Sequence, residues 1–144
     1  MPKDRRGGRS VRKDPYSEYE TVGTANNGKI KVIKAKQTTK NAGIPMYSNR
    51  KNTVYFVVNA KNARKKGRDE ITNIAVYRNR RLVYNLDFKD AKNKNNHAHY
   101  WNVAKKNGKE VLVKVDDHDE NLKPVQQKLF KMAADWNIGG KQWA

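Results

Sequence analysis

Cysteine is absent from this chain, which excludes disulfide stapling and every form of thiolate chemistry, nucleophilic or metal-binding. Also missing is any apolar run near the ~20 residues a helix needs to cross a bilayer. The opening Met-Pro-Lys-Asp-Arg-Arg-Gly-Gly lacks the apolar core of a secretory signal, so a cytoplasmic protein is expected. Hydrophobic residues make up only 36% of the sequence, so only part of it can be core. Acidic residues are scarce: 14 Asp and Glu face 32 Lys and Arg, for a formal net charge of +18. No internal repeat is found.

That charge exceeds what solubility requires and implies a polyanionic partner, RNA or DNA, held in a strongly salt-dependent way. A merely solubilising surface is the plainer alternative. An acidic membrane would attract the same charge, but the single long helical candidate has no strongly basic amphipathic pattern, so no membrane role is expected.

Residues 1 to about 17 hold Arg5, Arg6, Arg9, Arg12 and Lys13 with almost nothing apolar to bury, and are expected to be a disordered basic arm before a single domain over residues 18–144. From Tyr19 onward the pattern is that of short strands. Tyr19 to Gly23 and Lys29 to Lys34 flank the turn Asn26-Asn27-Gly28, with Lys29 and Lys31 making a basic face. Thr53 to Ala60 is the most apolar stretch and the best central strand. Lys61 to Glu70, with Arg64, Lys65, Lys66 and Arg68, reads as a charged loop suited to gripping phosphates. Ile71 to Tyr77 and Arg81 to Phe88 form a hairpin across Arg78-Asn79-Arg80. Alternation puts Leu82, Tyr84, Leu86 and Phe88 on the core face and Arg81, Val83, Asn85 and Asp87 on the other. His97 to Val103 and Glu110 to Val115 complete the sheet. A helix from about Asn121 to Asn137 carries a stripe of Val125, Leu129, Met132, Ala133 and Trp136, with Asn121 as N-cap. The expected fold is α+β: an antiparallel sheet of about five to seven strands with one C-terminal helix packed on it.

The chemistry concentrates at His97 and His99, which point to one face of a strand together with Trp101. A polar loop from Lys89 to Asn96 returns this strand antiparallel to its predecessor and sets Asp87 near His97. Two chemistries suit the set. Two imidazoles can serve as base and acid on a ribose hydroxyl and a leaving oxygen, with Asp87 orienting one ring and Arg81 steadying the phosphorane charge. That route needs no cofactor and no metal, and is favoured. Alternatively His97, His99 and Asp87 bind a divalent ion as a three-ligand open site. The plain alternative is an ordinary exposed strand face. His118, in Asp116-Asp117-His118-Asp119, is expected in the turn before the helix and is a candidate third site residue. Trp101, Tyr77 and Tyr55 are expected to face outward, where single-stranded bases stack on aromatics.

The hairpin residues Val76, Tyr77, Leu82, Val83, Leu86 and Asp87, followed by a polar loop and His97, His99 and Trp101, resemble small C-terminal domains of phage minor head proteins and bacterial polymorphic toxins, a population rich in nuclease effectors. The resemblance covers about a fifth of the chain. It implies a small nuclease, RNA before DNA, with Asp87, His97 and His99 as the positions that carry over. The basic surface also makes an acidic host or immunity protein an expected partner beside RNA or DNA. The competing expectations are a non-catalytic nucleic-acid-binding protein, phage-associated or chromosomal, and a phage-encoded inhibitor that presents basic surface to a host defence protein.

Overall fold

Asparagine and glycine set the strand connections. Asn26, Asn27 and Gly28, then Asn79 and Arg80, then Asn107 and Gly108 adopt positive φ, the left-handed backbone that matches tight antiparallel turns to strand twist. The computed structural model describes residues 9–10, 19–36, 44–89, 94–115 and 118–139. Its strands are β1 (Arg9–Ser10), β2 (Tyr19–Ala25), β3 (Ile30–Ala35), β4 (Asn52–Val58), β5 (Ile71–Arg78), β6 (Arg81–Asp87), β7 (His97–Lys106) and β8 (Lys109–Lys114), with helices α1 (Ala60–Lys66) and α2 (Pro124–Ile138). They form one eight-stranded sheet in the order β1-β8-β7-β6-β5-β4-β3-β2. Of the basic arm only Arg9 and Ser10 are described, pairing with Leu112 and Val111 of β8; Arg5, Arg6, Arg12 and Lys13 lie outside the described residues.

The sheet is mixed, which corrects the expectation of purely antiparallel pairing. β3 and β4 run parallel, in a register that sets Lys31 beside Tyr55 and Ile33 beside Val57. Parallel neighbours need a crossover of a dozen or more residues, and the polar stretch between Ala35 and Asn52 is long enough to supply it.

The two faces of the sheet are covered differently. On one, α2 packs Leu129, Phe130, Ala133 and Trp136 against Val32, Phe56, Ile74, Val76 and Leu86. The buried stripe is turned from the expected one: Gln126 and Phe130 are inside, while Val125 is 55% exposed. The helix begins at Pro124 with Lys123 as N-cap, not Asn121, and the Gln126 side chain accepts from the Lys123 backbone N–H.

On the other face, Ile33, Tyr55, Val57, Ala75, Tyr77, Leu82 and Leu112 form a second cluster beneath Ile44, Met46 and Tyr47. Leu82 belongs here because a bulge falls between Val76 and Tyr77 in the β5–β6 register, which reverses the strict alternation expected along β6. Tyr55 and Tyr77, expected outside, are buried at 1% and 2% exposure. The Tyr77 hydroxyl donates to the Pro45 carbonyl at 2.5 Å, and the Tyr55 hydroxyl bonds Ser48 Oγ at 3.1 Å. Neither ring is available to stack on a base. Burial, with Tyr55 and Tyr19 nearby, raises the Tyr77 pKa well above the ordinary phenol value. Ionisation is thus easier in the unfolded chain, so Tyr77 stabilises the fold fully below pH ~10 and less as pH rises beyond it. Thermal melts should fall steeply above pH ~10 in the wild type and less steeply in Tyr77→Phe; parallel curves would assign the loss to other groups.

The charged stretch after β4 is also not a loop. α1 forms there, with the Asn59 side chain accepting from Asn62 N–H at 2.8 Å and Gly67 closing the helix at positive φ. Arg64 and Lys65 remain exposed, whereas Lys66 pairs with Glu70 at 2.8 Å and Arg68 with Glu70 at 3.6 Å.

Candidate functional site

The site is built by strand register. Asp87 of β6 pairs with His97 of β7 and Asn85 with His99. Across β6 the same rows continue to Asn73 and Ala75 of β5. Side chains in these rows share a face, so two imidazoles, a carboxylate and two amides meet at one end of the sheet.

There His97 Nε2 lies 3.1 Å from His99 Nε2, and the Asp87 Oδ2 atom lies 2.9 Å from His99 Nε2 and 3.3 Å from His97 Nε2. The other Asp87 oxygen, Oδ1, accepts from the side-chain amides of Asn73 and Asn85. Asn85 is positioned in turn: its Oδ1 accepts from Trp101 Nε1 at 2.8 Å, and its amide donates to Asn73 Oδ1 at 3.0 Å. Trp101 is therefore half-buried and engaged in the network, not a free stacking platform. His97 Nδ1 donates to the Asn95 carbonyl at 3.0 Å, which turns its Nε2 lone pair into the cluster when the ring is neutral.

His118 joins the group. Its ring stacks on His97 at 4.5 Å with 3° between the planes and meets His99 edge-on at 4.5 Å. After β8 the chain rejoins β7, where Asp119 and Ala98 exchange backbone hydrogen bonds at 2.8 and 3.0 Å. This return carries His118 over the pair, and it is a tertiary contact that strand periodicity does not reveal.

No family model, curated protein or solved structure matches this chain. Its chemistry has to be read from the cluster itself.

His97 and His99 are buried, at 2% and 5% exposure. His118 and Asp87 are the members that reach solvent, the Asp87 side chain being 27% exposed. Burial alone would raise the Asp87 pKa, but the His99 hydrogen bond and charge, with Asn73 and His97, outweigh it and hold the carboxyl below its usual value. Partial desolvation, followed by the charges of His99 and His97, lowers the His118 pKa and favours its neutral imidazole. Asp87 and Asn73 also line a cleft of about 690 Å³ whose wall includes Lys66, Lys89 and Asn59. Lys66 stands out in the sequence only as part of the charged stretch before Glu70, and Lys89 and Asn73 do not stand out at all, since nothing there ties three distant segments together.

Arg81 stands apart from the site. It lies six positions before Asp87, roughly 20 Å away along an extended strand. Its guanidinium is engaged with both Glu110 carboxylate oxygens at 2.6 Å. Arg78 and Arg80 are exposed at that same distant end, and Lys29 is exposed in the β2–β3 turn. The structure thus gathers Asp87, His97 and His99, adds His118, and leaves Arg81 and the hairpin arginines elsewhere.

Proposed function

We propose that the protein is a nucleic-acid-directed phosphodiesterase, acting on RNA before DNA, whose reacting centre is the cluster of Asp87, His97, His99 and His118. The observation that carries this reading is the convergence of three imidazoles and a carboxylate in a chain of net charge +18. Residues of this kind take up and deliver protons near neutrality, and the charge supplies the attraction to phosphate. Lys89, on the cleft that Asp87 lines, suits a phosphate approaching the carboxylate side, while Lys66 on the same wall is paired with Glu70.

The two buried imidazoles face each other through Nε2, which leaves no room for a phosphodiester between them. Activation of one water molecule by the cluster as a unit fits this arrangement better than a separate acid and base on opposite sides of the scissile bond. The similarity to phage and polymorphic-toxin nuclease domains points to the same Asp87, His97 and His99.

A second reading draws on the burial of His97 and His99: the cluster is a structural network, and the basic surface binds nucleic acid without cutting it. Incubating the full chain with labelled RNA and DNA separates the two. Cleavage that disappears in cluster variants supports the first reading; binding with no cleavage of any substrate supports the second. Under either, affinity should fall steeply with salt, because each phosphate contact on duplex DNA releases about 0.9 counterion. Titrations at low and physiological salt check this, and equal affinities would remove the electrostatic basis of both.

A further inference from the structure

We infer that Asp87, His97 and His99, with His118 as a fourth ligand, form a binding site for a divalent transition-metal ion of the zinc type. The inference deepens the proposed reaction, since it rests on the same site, but ion binding is measured with no nucleic acid present. Its first support is spacing. The three atoms His97 Nε2, His99 Nε2 and Asp87 Oδ2 form a triangle with edges of 2.9, 3.1 and 3.3 Å. Ligand atoms at ~2.0–2.2 Å from one ion lie roughly 2.9–3.5 Å apart, depending on coordination number, so the triangle has the dimensions of one coordination face. One ring nitrogen from each of His97, His99 and His118 also lies within 4.8 Å of the others, wider than the ~4.2 Å that one ion spans, so the exposed His118 ring, stacked on His97 in this structure, turns and closes in to become the fourth ligand.

The second support is the count of protons. With His97 Nδ1–H given to the Asn95 carbonyl, two acceptors, His97 Nε2 and Asp87 Oδ2, converge on the single proton that a neutral His99 can offer through Nε2. His99 Nδ1 is buried and has no hydrogen-bond partner among the described residues. That nitrogen is not one of the three converging ligand atoms and carries the ring proton when Nε2 ligates an ion, so the surplus of lone pairs that suits an external cation rests on His97 Nε2 and Asp87 Oδ2, which share one proton.

The third support is the surrounding shell. A carbonyl fixes the His97 tautomer, and two asparagine amides hold Asp87 Oδ1 so that Oδ2 faces the imidazoles. Partners of this kind orient metal ligands, and the carbonyl also raises the basicity of the imidazole that donates to it. Imidazoles with a single carboxylate favour zinc, cobalt or nickel over magnesium or calcium, which prefer all-oxygen sites.

The test uses the full chain, prepared without a polyhistidine tag and stripped with chelator, then titrated calorimetrically with Zn²⁺ and followed by absorption with Co²⁺. The expected result is one ion per chain, a ligand-field cobalt band, and a melting temperature that rises with zinc. Asp87→Asn and His118→Ala should each weaken zinc at least tenfold. The exposure of His118 and the near-isosteric change at Asp87 favour retention of the fold, which circular dichroism verifies. Absence of stoichiometric binding to the wild type, or zinc affinity unchanged in both folded variants, overturns the inference. Zinc binding without cleavage of RNA or DNA upholds the ion site and removes the proposed reaction; cleavage by a stripped protein that binds no ion does the reverse.

Discussion

His118→Ala should lower cleavage of RNA by about 10²–10⁴-fold while leaving the melting temperature nearly unchanged. The loss is of the size expected when a positioned proton-transfer group or a ligand of the reacting centre is removed. The small effect on stability follows from exposure: His118 covers the buried pair without filling core volume. His97→Ala and His99→Ala should abolish activity to the same degree, but at 2% and 5% exposure they also leave a cavity and unpaired polar partners, so their melts should fall too. His118 therefore separates chemistry from folding more cleanly than the strand pair. Single-turnover rates beside thermal melts decide the matter, and a fully active His118→Ala would remove the residue from the reaction.

Trp136→Ala and Phe130→Ala should each destabilise the fold by roughly 3–5 kcal/mol, the usual cost of deleting a large buried ring. Phe130 meets Phe88 edge-on at 4.9 Å, and Trp136 both fills the helix interface and donates to the Thr24 carbonyl at 3.2 Å. Val125→Ala, on the exposed side of the same helix, should stay within about 0.5 kcal/mol of wild type. Urea unfolding of the three variants tests which side of α2 is buried. Comparable losses at Val125 and Phe130 would contradict the observed rotation of the helix.

The same helix shows how far pattern reaches. Leu129, Ala133 and Trp136 recur at helical spacing and are buried as that spacing requires. Val125 and Phe130 lie on opposite edges of the Leu129–Ala133–Trp136 stripe, about 140° apart at ~100° per residue, so spacing alone does not say which edge is buried, and contact with the sheet selects Phe130. Along β6, alternation set Asp87 and Asn85 on one face correctly. It misassigned Leu82, because one extra residue in a bulge shifts everything before it to the opposite side. Tyr55 and Tyr77 looked like surface aromatics since nothing in the local sequence announces that Ile44, Met46 and Tyr47 lie across that face.

What the sequence determined by itself is local or global in the simplest sense. Net charge sums over residues wherever they lie, turns follow from Asn and Gly tolerance of positive φ, and the two-residue period of a strand sets His97 and His99 on one side. Tertiary structure alone decided the parallel β3–β4 pair, the pairing of Arg81 with Glu110, the arrival of His118 above His97, and the Asn73–Asn85–Trp101 network around Asp87. Each of these joins residues from separate strands or loops. Their proximity depends on register and chain path, which arise from the packing of the whole sheet and leave no periodic trace in any one segment.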